Sequence, residues 1–255
     1  EIYDAVAAKM LKDIKKLNFG DRRMIQKKRR ARLIRLLQVA SNPALIHHMA
    51  GQFDIGNRIF AEQFGLPVEK DGSSLEILQE VDDLSLSDKI KNYEQLGEIP
   101  SKISFAADKA KEIMDKGEKV IIWSSFIKNM ELFEGQILAD VNPIIVNGTI
   151  TRSTDSGVEK WRDTQKKLKK SDKTREERIE EFKNDNDPRI LIANAASLGE
   201  SVSLHRNLQE KKVCSNAIYL DRNFNGAQFM QSVDRIHRIG VDEKPNYWLL
   251  IGENT

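Results

Sequence analysis

Lys119-Val120-Ile121-Ile122-Trp123-Ser124-Ser125-Phe126 is the stretch that decides how this chain folds. Val120 to Trp123 are four apolar residues in one unbroken run. That is too short for a helix, and it lacks the alternation of a strand with one wet face. Such a run fits a strand buried on both sides, as in a parallel sheet covered by helices. Its flanks agree: Ile103 to Lys116 has helical spacing and stops at Gly117, and Ile127 to Ala139 reads as a second helix.

Outward from this stretch the pattern repeats. Ile144 to Val146 follows the second helix. Thr174 to Asn184 reads as a third helix and feeds Ile190 to Ala193. Ala217 to Leu220 precedes a further helix, and Tyr247 to Ile251 closes the series. Short apolar strands separated by helices predict an α/β fold: a parallel sheet with helices on both faces. Upstream, residues 1 to about 50 read as helical. Leu33, Leu36, Leu37 and Ala40 are spaced for one buried face, and Asn42-Pro43 breaks the helix. Residues 51 to 100 are less regular, with Asp71-Gly72-Ser73-Ser74 as a loop and Gly97 to Pro100 as a boundary. The expected layout is a helical segment with an irregular insertion over 1–100, packed on a lobe over 101–255. A polar, Lys-rich insertion interrupts that lobe at about 149–173.

Composition narrows the function classes. The 255 residues can bury a substantial core, and 40% hydrophobic with 31% charged residues describes a globular chain. No apolar run approaches the roughly 20 residues of a membrane span. Glu1-Ile2-Tyr3-Asp4 has no signal-peptide character, so a secreted protein is not expected. The single Cys214 excludes an internal disulfide and reads as a packing residue. His47, His48, His205 and His237 lack metal-site spacing with it. Net charge is +2, yet cations cluster. Lys15 to Arg35 holds ten Lys or Arg against one acid, and Lys160 to Arg175 holds eight against two. Each block fits a solvated helix face or a contact to phosphate.

Gln231-Ser232-Val233-Asp234-Arg235-Ile236-His237-Arg238-Ile239-Gly240 carries the chemistry. On one helix Gln231, Arg235 and Arg238 share a face, while Phe229, Val233 and Ile236 form an apolar back. Paired guanidinium groups suit the charge that grows in phosphoryl transfer. They equally suit a helix C-terminus ending at Gly240. Asn225-Gly226-Ala227-Gln228 reads as a capping box that sets where this helix starts.

This run matches, at every defined position, the sixth motif of the second RecA-like lobe of superfamily 2 helicases, in the Swi/Snf-like branch. Four further stretches resemble the same lobe in the same order. They are Arg35 to Leu45 with its Asn42-Pro43, Lys119 to Phe126, Arg189 to Leu204, and Asn216 to Asp221 leading into the sixth. The resemblance covers most of the chain. It implies half of an ATPase site, working with an N-terminal RecA-like lobe of the same protein. ATP would lie between the lobes, with Mg2+ held mainly by the missing first lobe. Arg238 would be the arginine finger, with Arg235 beside it and Gln231 positioning them, and Gly199 and Glu200 would join the two arginines around the nucleotide. Double-stranded DNA would be gripped along its backbone by Ser124, Ser125, Asn194 and Ala195, with Lys166 and Lys167 of the insertion as further contacts. His237 lies off the arginine face and reads as an interdomain or packing residue.

The sequence contains no G-x-x-x-x-G-K-[ST] loop and no D-E-x-H stretch, the parts the resemblance assigns to the first lobe. An excised lobe of a DNA-stimulated translocase or remodeller is therefore expected. Its compartment would be nuclear in a eukaryote, and cytoplasmic or nucleoid-associated in a bacterium. Ser201 stands where the family often has glycine, which motivates the alternative of a catalytically dead nucleic-acid-binding or scaffolding lobe. Three structural readings also stay open: Ser125 as an ordinary helix N-cap, Ala195 to Ser197 as the start of a packed helix, and the basic blocks as solvated faces.

Overall fold

Val120–Trp123 forms strand β1, buried at every residue, and four more strands assemble beside it. The computed structural model describes residues 3–8, 11, 33–45, 93, 96–148, 150, 173–185, 190–198, 202–222, 225–237 and 244–253. Within these, α1 is Ser101–Asp115, α2 Ile127–Leu132, β2 Ile144–Val146, α3 Arg175–Asn184, β3 Ile190–Ala193, β4 Asn216–Tyr219, α4 Gly226–Val233 and β5 Asn246–Leu249. The sheet has five strands in the order β2-β3-β1-β4-β5, and every pairing is parallel. This is the RecA-like α/β sheet expected from the apolar runs.

Strand alternation builds two faces. Ile121, Trp123, Leu191, Ala193, Ala217 and Tyr219 share one face with Ile179 and Phe182 of α3 and with Ile236. Phe229 and Val233 of α4 pack against that cluster. Val120, Ile122, Ile190, Ile192 and Ile218 turn to the other face and are fully buried. Trp248 lies in register with Ile218, and Lys109 of α1 stands over its ring at 5.2 Å, which puts α1 on this second face. Each fully buried aliphatic side chain contributes about 1.5–3 kcal/mol over an exposed one. Helices therefore cover both faces.

Polar groups fix the ends of these elements. Thr174 and Glu177 form a capping box at the start of α3. At its other end the Lys119 ammonium donates to the carbonyls of Phe182 and Asp185, closing acceptors that a helix C-terminus leaves open.

Several expected boundaries shift. β4 and β5 each begin one residue earlier, at Asn216 and Asn246. Asn246 Nδ2 donates to Asn216 Oδ1 at 3.0 Å, and Asn216 Nδ2 donates to Glu118 Oε2 at 2.7 Å. These paired amides extend the ladder where an apolar pattern is blind. The helix expected over 127–139 is regular only to Leu132. It widens into a π turn over Phe133–Ile137, with Leu138 N bonded to Phe133 O, and then tightens over Ala139–Val141 before the left-handed Asn142. The helix expected to reach Gly240 is regular only to Val233.

The chain divides into two compact units. The first holds Glu1–Phe105, Asn223–Asn225 and Leu250–Thr255; the second holds Ala106–Arg222 and Gly226–Leu249 and contains the sheet. In the first unit residues 33–41 are helical and residues 43–45 form a 3-10 turn. Asn42 Oδ1 accepts from Ala44 N at 3.0 Å, so the break at Asn42-Pro43 is present. The buried face differs from the expected one. Ile34, Arg35, Gln38, Val39 and Ser41 are buried, whereas Leu33 is 48% exposed and Leu36, Leu37 and Ala40 are half-buried. Arg35 Nη1 donates to Gln38 Oε1 at 3.2 Å, which lets two polar side chains occupy an interior face. No helix among the described residues is long and apolar enough to cross a membrane.

Candidate functional site

The carboxyl edge of the sheet is where an open α/β fold collects its ligands, at the point where strand connections diverge. Here β1 leads outward past β3 to β2, while its other neighbour β4 leads to β5. The divergence lies between β1 and β4. Their next residues, Ser124 and Leu220, extend the ladder: Ser124 N donates to Ala193 O and Leu220 N donates to Trp123 O, both at 3.0 Å.

Asp221 stands at this point, 6% exposed. Its Oδ2 accepts from Ser124 Oγ at 2.8 Å and its Oδ1 from Ser125 N at 2.6 Å. Ser124 Oγ also accepts from Phe126 N at 3.2 Å. The hydroxyl and amide that the resemblance assigns to a DNA phosphate thus face an internal carboxylate. Nor is Ser125 a helix cap, because the N-cap of α2 is Phe126 and it has no side-chain cap bond.

β3 ends at Ala193 and is followed by Asn194, which is buried. Asn194 Nδ2 donates to Ser125 O at 3.3 Å, and Oδ1 accepts from Ala196 N at 3.0 Å. Residues 195–197 form a turn with Ala195 half-buried. Arg175 Nη1 donates to Ser197 O at 3.2 Å. The same guanidinium donates from Nε to Ile150 O at 2.7 Å and from Nη2 to Gly148 O at 3.0 Å. Gly199, Glu200 and Ser201 lie outside the described residues, as do Lys166 and Lys167.

α4 is hung on the sheet by two phenols. Tyr219 OH meets Ser232 Oγ at 2.9 Å, Ser232 Oγ donates to Phe229 O at 2.6 Å, and Tyr247 OH donates to Val233 O at 3.0 Å. Phe229 stands edge-on to Tyr219 at 5.2 Å. Burial pushes both phenols up, Tyr247 to about 12, so both stay protonated donors at neutral pH. Asn225 directly precedes α4, at the cap position.

Beyond Val233 the backbone tightens, with Arg235 N donating to Ser232 O and Ile236 N to Val233 O. Ile236 enters the core. Gln231 is exposed, but Arg235 is 5% exposed. Arg235 Nη1 donates to Val202 O at 2.9 Å, and Arg235 O accepts from Leu204 N at 2.9 Å. The fifth and sixth stretches therefore meet through Arg235. His237 is exposed, and Arg238 lies outside the described residues.

Sequence reasoning assigned no site role to Asp221, Tyr219 or Tyr247, and read Arg175 only as part of a basic block. Asp221 had one usable signal: it directly follows an apolar strand, at the ligand edge. Its partners depend on β4 lying next to β1, which only the strand order reveals. Among the described residues no group of His, Cys, Asp and Glu could hold a metal ion.

No protein-family model and no curated protein matches the chain. Solved structures do. The C-terminal part of the Fun30 ATPase domain is 21% identical over 99% of this chain and 80% of its own, with a TM-score of 0.52. The C-terminal domain of a Sulfolobus solfataricus SWI2/SNF2 ATPase is 15% identical, covering 97% and 72%, with a TM-score of 0.44. The core domain of a Sulfolobus solfataricus SWI2/SNF2 ATPase is 17% identical at 0.48; the likeness spans 99% of this chain but 37% of that one. The fold is thus that of the C-terminal part of the Fun30 ATPase domain.

Proposed function

We propose that the chain is the second ATPase lobe of a DNA-stimulated, ATP-dependent double-stranded DNA translocase or remodeller. The observation that carries this reading is the junction at Arg235. The resemblance calls for the 194–204 loop and the 231–240 run to act together, and the Arg235 bonds to Val202 and Leu204 tie them directly. A buried guanidinium held by a carbonyl is a rigid base for its neighbour. Arg238 then presents the cation that meets growing charge on the γ-phosphate, with Arg235 as its anchor and the exposed Gln231 alongside. Gly199 and Glu200 complete this lobe's side of the nucleotide.

ATP, when bound between this lobe and the first, supplies the phosphoryl group that passes to water. Mg2+ belongs to the first lobe. Ala195, Lys166 and Lys167 hold the DNA backbone, a contact that positions the duplex without reading its sequence, while Asn194 braces the turn that presents Ala195.

An arginine finger is worth about 10³ to 10⁵ in rate. Arg238→Ala in the two-lobed protein is expected to abolish hydrolysis while ATP affinity stays within a few-fold of the parent. Turnover within a few-fold of the parent would remove Arg238 from this role.

A further inference from the structure

A single line of hydrogen bonds crosses the carboxyl edge of the sheet. It starts at Arg175, which holds Gly148 O and Ile150 O and donates to Ser197 O. Ser197 N donates to Asn194 O, and Asn194 Nδ2 donates to Ser125 O. Ser125 N donates to Asp221 Oδ1, whose other oxygen takes the Ser124 hydroxyl. Three strands that are distant in sequence, β3, β1 and β4, are joined there by side chains rather than by the ladder.

We infer that Asp221 is a positioning residue for the proposed ATPase, and that Ser124 and Ser125 serve to seat its carboxylate instead of a DNA phosphate. Three observations carry this. The Ser124–Ser125 pair offers one hydroxyl and one amide, and Asp221 takes both at 2.8 and 2.6 Å, in the range of charge-assisted bonds. Asp221 and Ser124 are 6% and 3% exposed, so an incoming phosphate would have to displace a buried carboxylate beside it, against like-charge repulsion. The Ser125 peptide is also held from its far side by Asn194, which leaves it little freedom to turn outward.

The consequence lies downstream of Asp221. The chain leaves β4 at Tyr219, passes Asp221 and enters α4 at Gly226, and the run that holds the arginines starts in α4 at Gln231. Asp221 therefore fixes the point from which that connection departs, while Tyr219 and Tyr247 fix the far part of α4. With Asp221 untied from β1, the arginines keep their chemistry and lose their aim, and catalysis depends on placement within about 1 Å.

This inference rests on the ATPase reading, so its test separates the two. The experiment compares the two-lobed parent with Asp221→Asn, Ser124→Ala and the double variant. It records kcat, KM for ATP, the DNA concentration giving half-maximal stimulation, and Tm. Asp221→Asn is isosteric, but its amide nitrogen cannot accept the Ser124 hydroxyl proton. The expected result is a kcat reduced at least 10-fold in Asp221→Asn, with KM and the half-maximal DNA concentration within about 3-fold of the parent. Ser124→Ala removes one bond only and is expected to lower kcat about 3-fold or more. The double variant is expected to match Asp221→Asn within 2-fold, because both changes break one tie.

Losses that multiply in the double variant, or a normal kcat in Asp221→Asn, would overturn the positioning role. A half-maximal DNA concentration raised 10-fold in Ser124→Ala at unchanged kcat would overturn it in favour of a phosphate contact. If Asp221→Asn does not fold, Ser124→Ala alone decides between these outcomes. A folded parent without turnover would overturn the ATPase reading, and this role with it.

Discussion

Arg175 belongs, by sequence, to the run of cations that begins at Lys160, and a run of that kind reads as a phosphate contact or a wet face. Its guanidinium instead lies inside, donating to the carbonyls of Gly148, Ile150 and Ser197. Guanidinium suits this place because its donors form a rigid planar fork that reaches several acceptors at once. Removing it leaves three carbonyls without this partner, and hydrogen bonds to charged groups are worth about 1.5–3 kcal/mol each. Arg175→Met is expected to lower unfolding free energy by about 3 kcal/mol in urea denaturation, and Arg175→Lys, with a point charge in place of a fork, to recover part of it. A loss below about 1 kcal/mol for Arg175→Met would contradict the clamp. Nothing local in the sequence separates Arg175 from Lys173 or Lys170. The distinction is made by the 148–150 segment returning to meet α3, a contact between residues about 25 apart.

At the scale of elements, Tyr219 of β4, the half-buried Tyr247 of β5 and Cys214 just before β4 act as neutral packing and donor groups. Burial pushes Tyr219 upward, and pushes Tyr247 to about 12 from an ordinary 10 and Cys214 to about 12 from an ordinary 9. The sign follows from proton binding: between the ordinary and the raised values the folded chain keeps protons that the unfolded chain has lost. Stability from these groups is therefore complete below about pH 9 and drains as pH climbs towards 12. Tm is expected to fall steadily over that interval, and less steeply in Tyr247→Phe, which cannot ionise there. A Tm unchanged up to pH 11 would contradict it. Strands β1 to β4 were legible because their apolar runs are buried on both sides, whereas β5 is only half-buried, with Leu249 40% exposed. The first residues of β4 and β5 were not, because Asn216 and Asn246 extend the ladder through side-chain amides. The helical face at 33–41 was misjudged for a related reason. Arg35 Nη1 donates to Gln38 Oε1, so burial there does not follow hydropathy.

At the scale of the molecule, the parallel sheet, the helices on both faces and the order of the motifs could all be read from short-range pattern. The arrangement of the site could not. That Asp221 reaches Ser124, and that Arg235 reaches Val202, follows from strand order and from the path of a loop, neither of which leaves a local trace. The central claim concerns the whole molecule: this lobe completes an ATPase that DNA drives. It is tested most directly by ATP hydrolysis of the two-lobed protein, measured with and without double-stranded DNA at fixed salt. The account predicts turnover that rises at least 10-fold with DNA. A folded two-lobed protein that binds DNA yet hydrolyses no ATP would contradict it and leave a scaffolding lobe in its place.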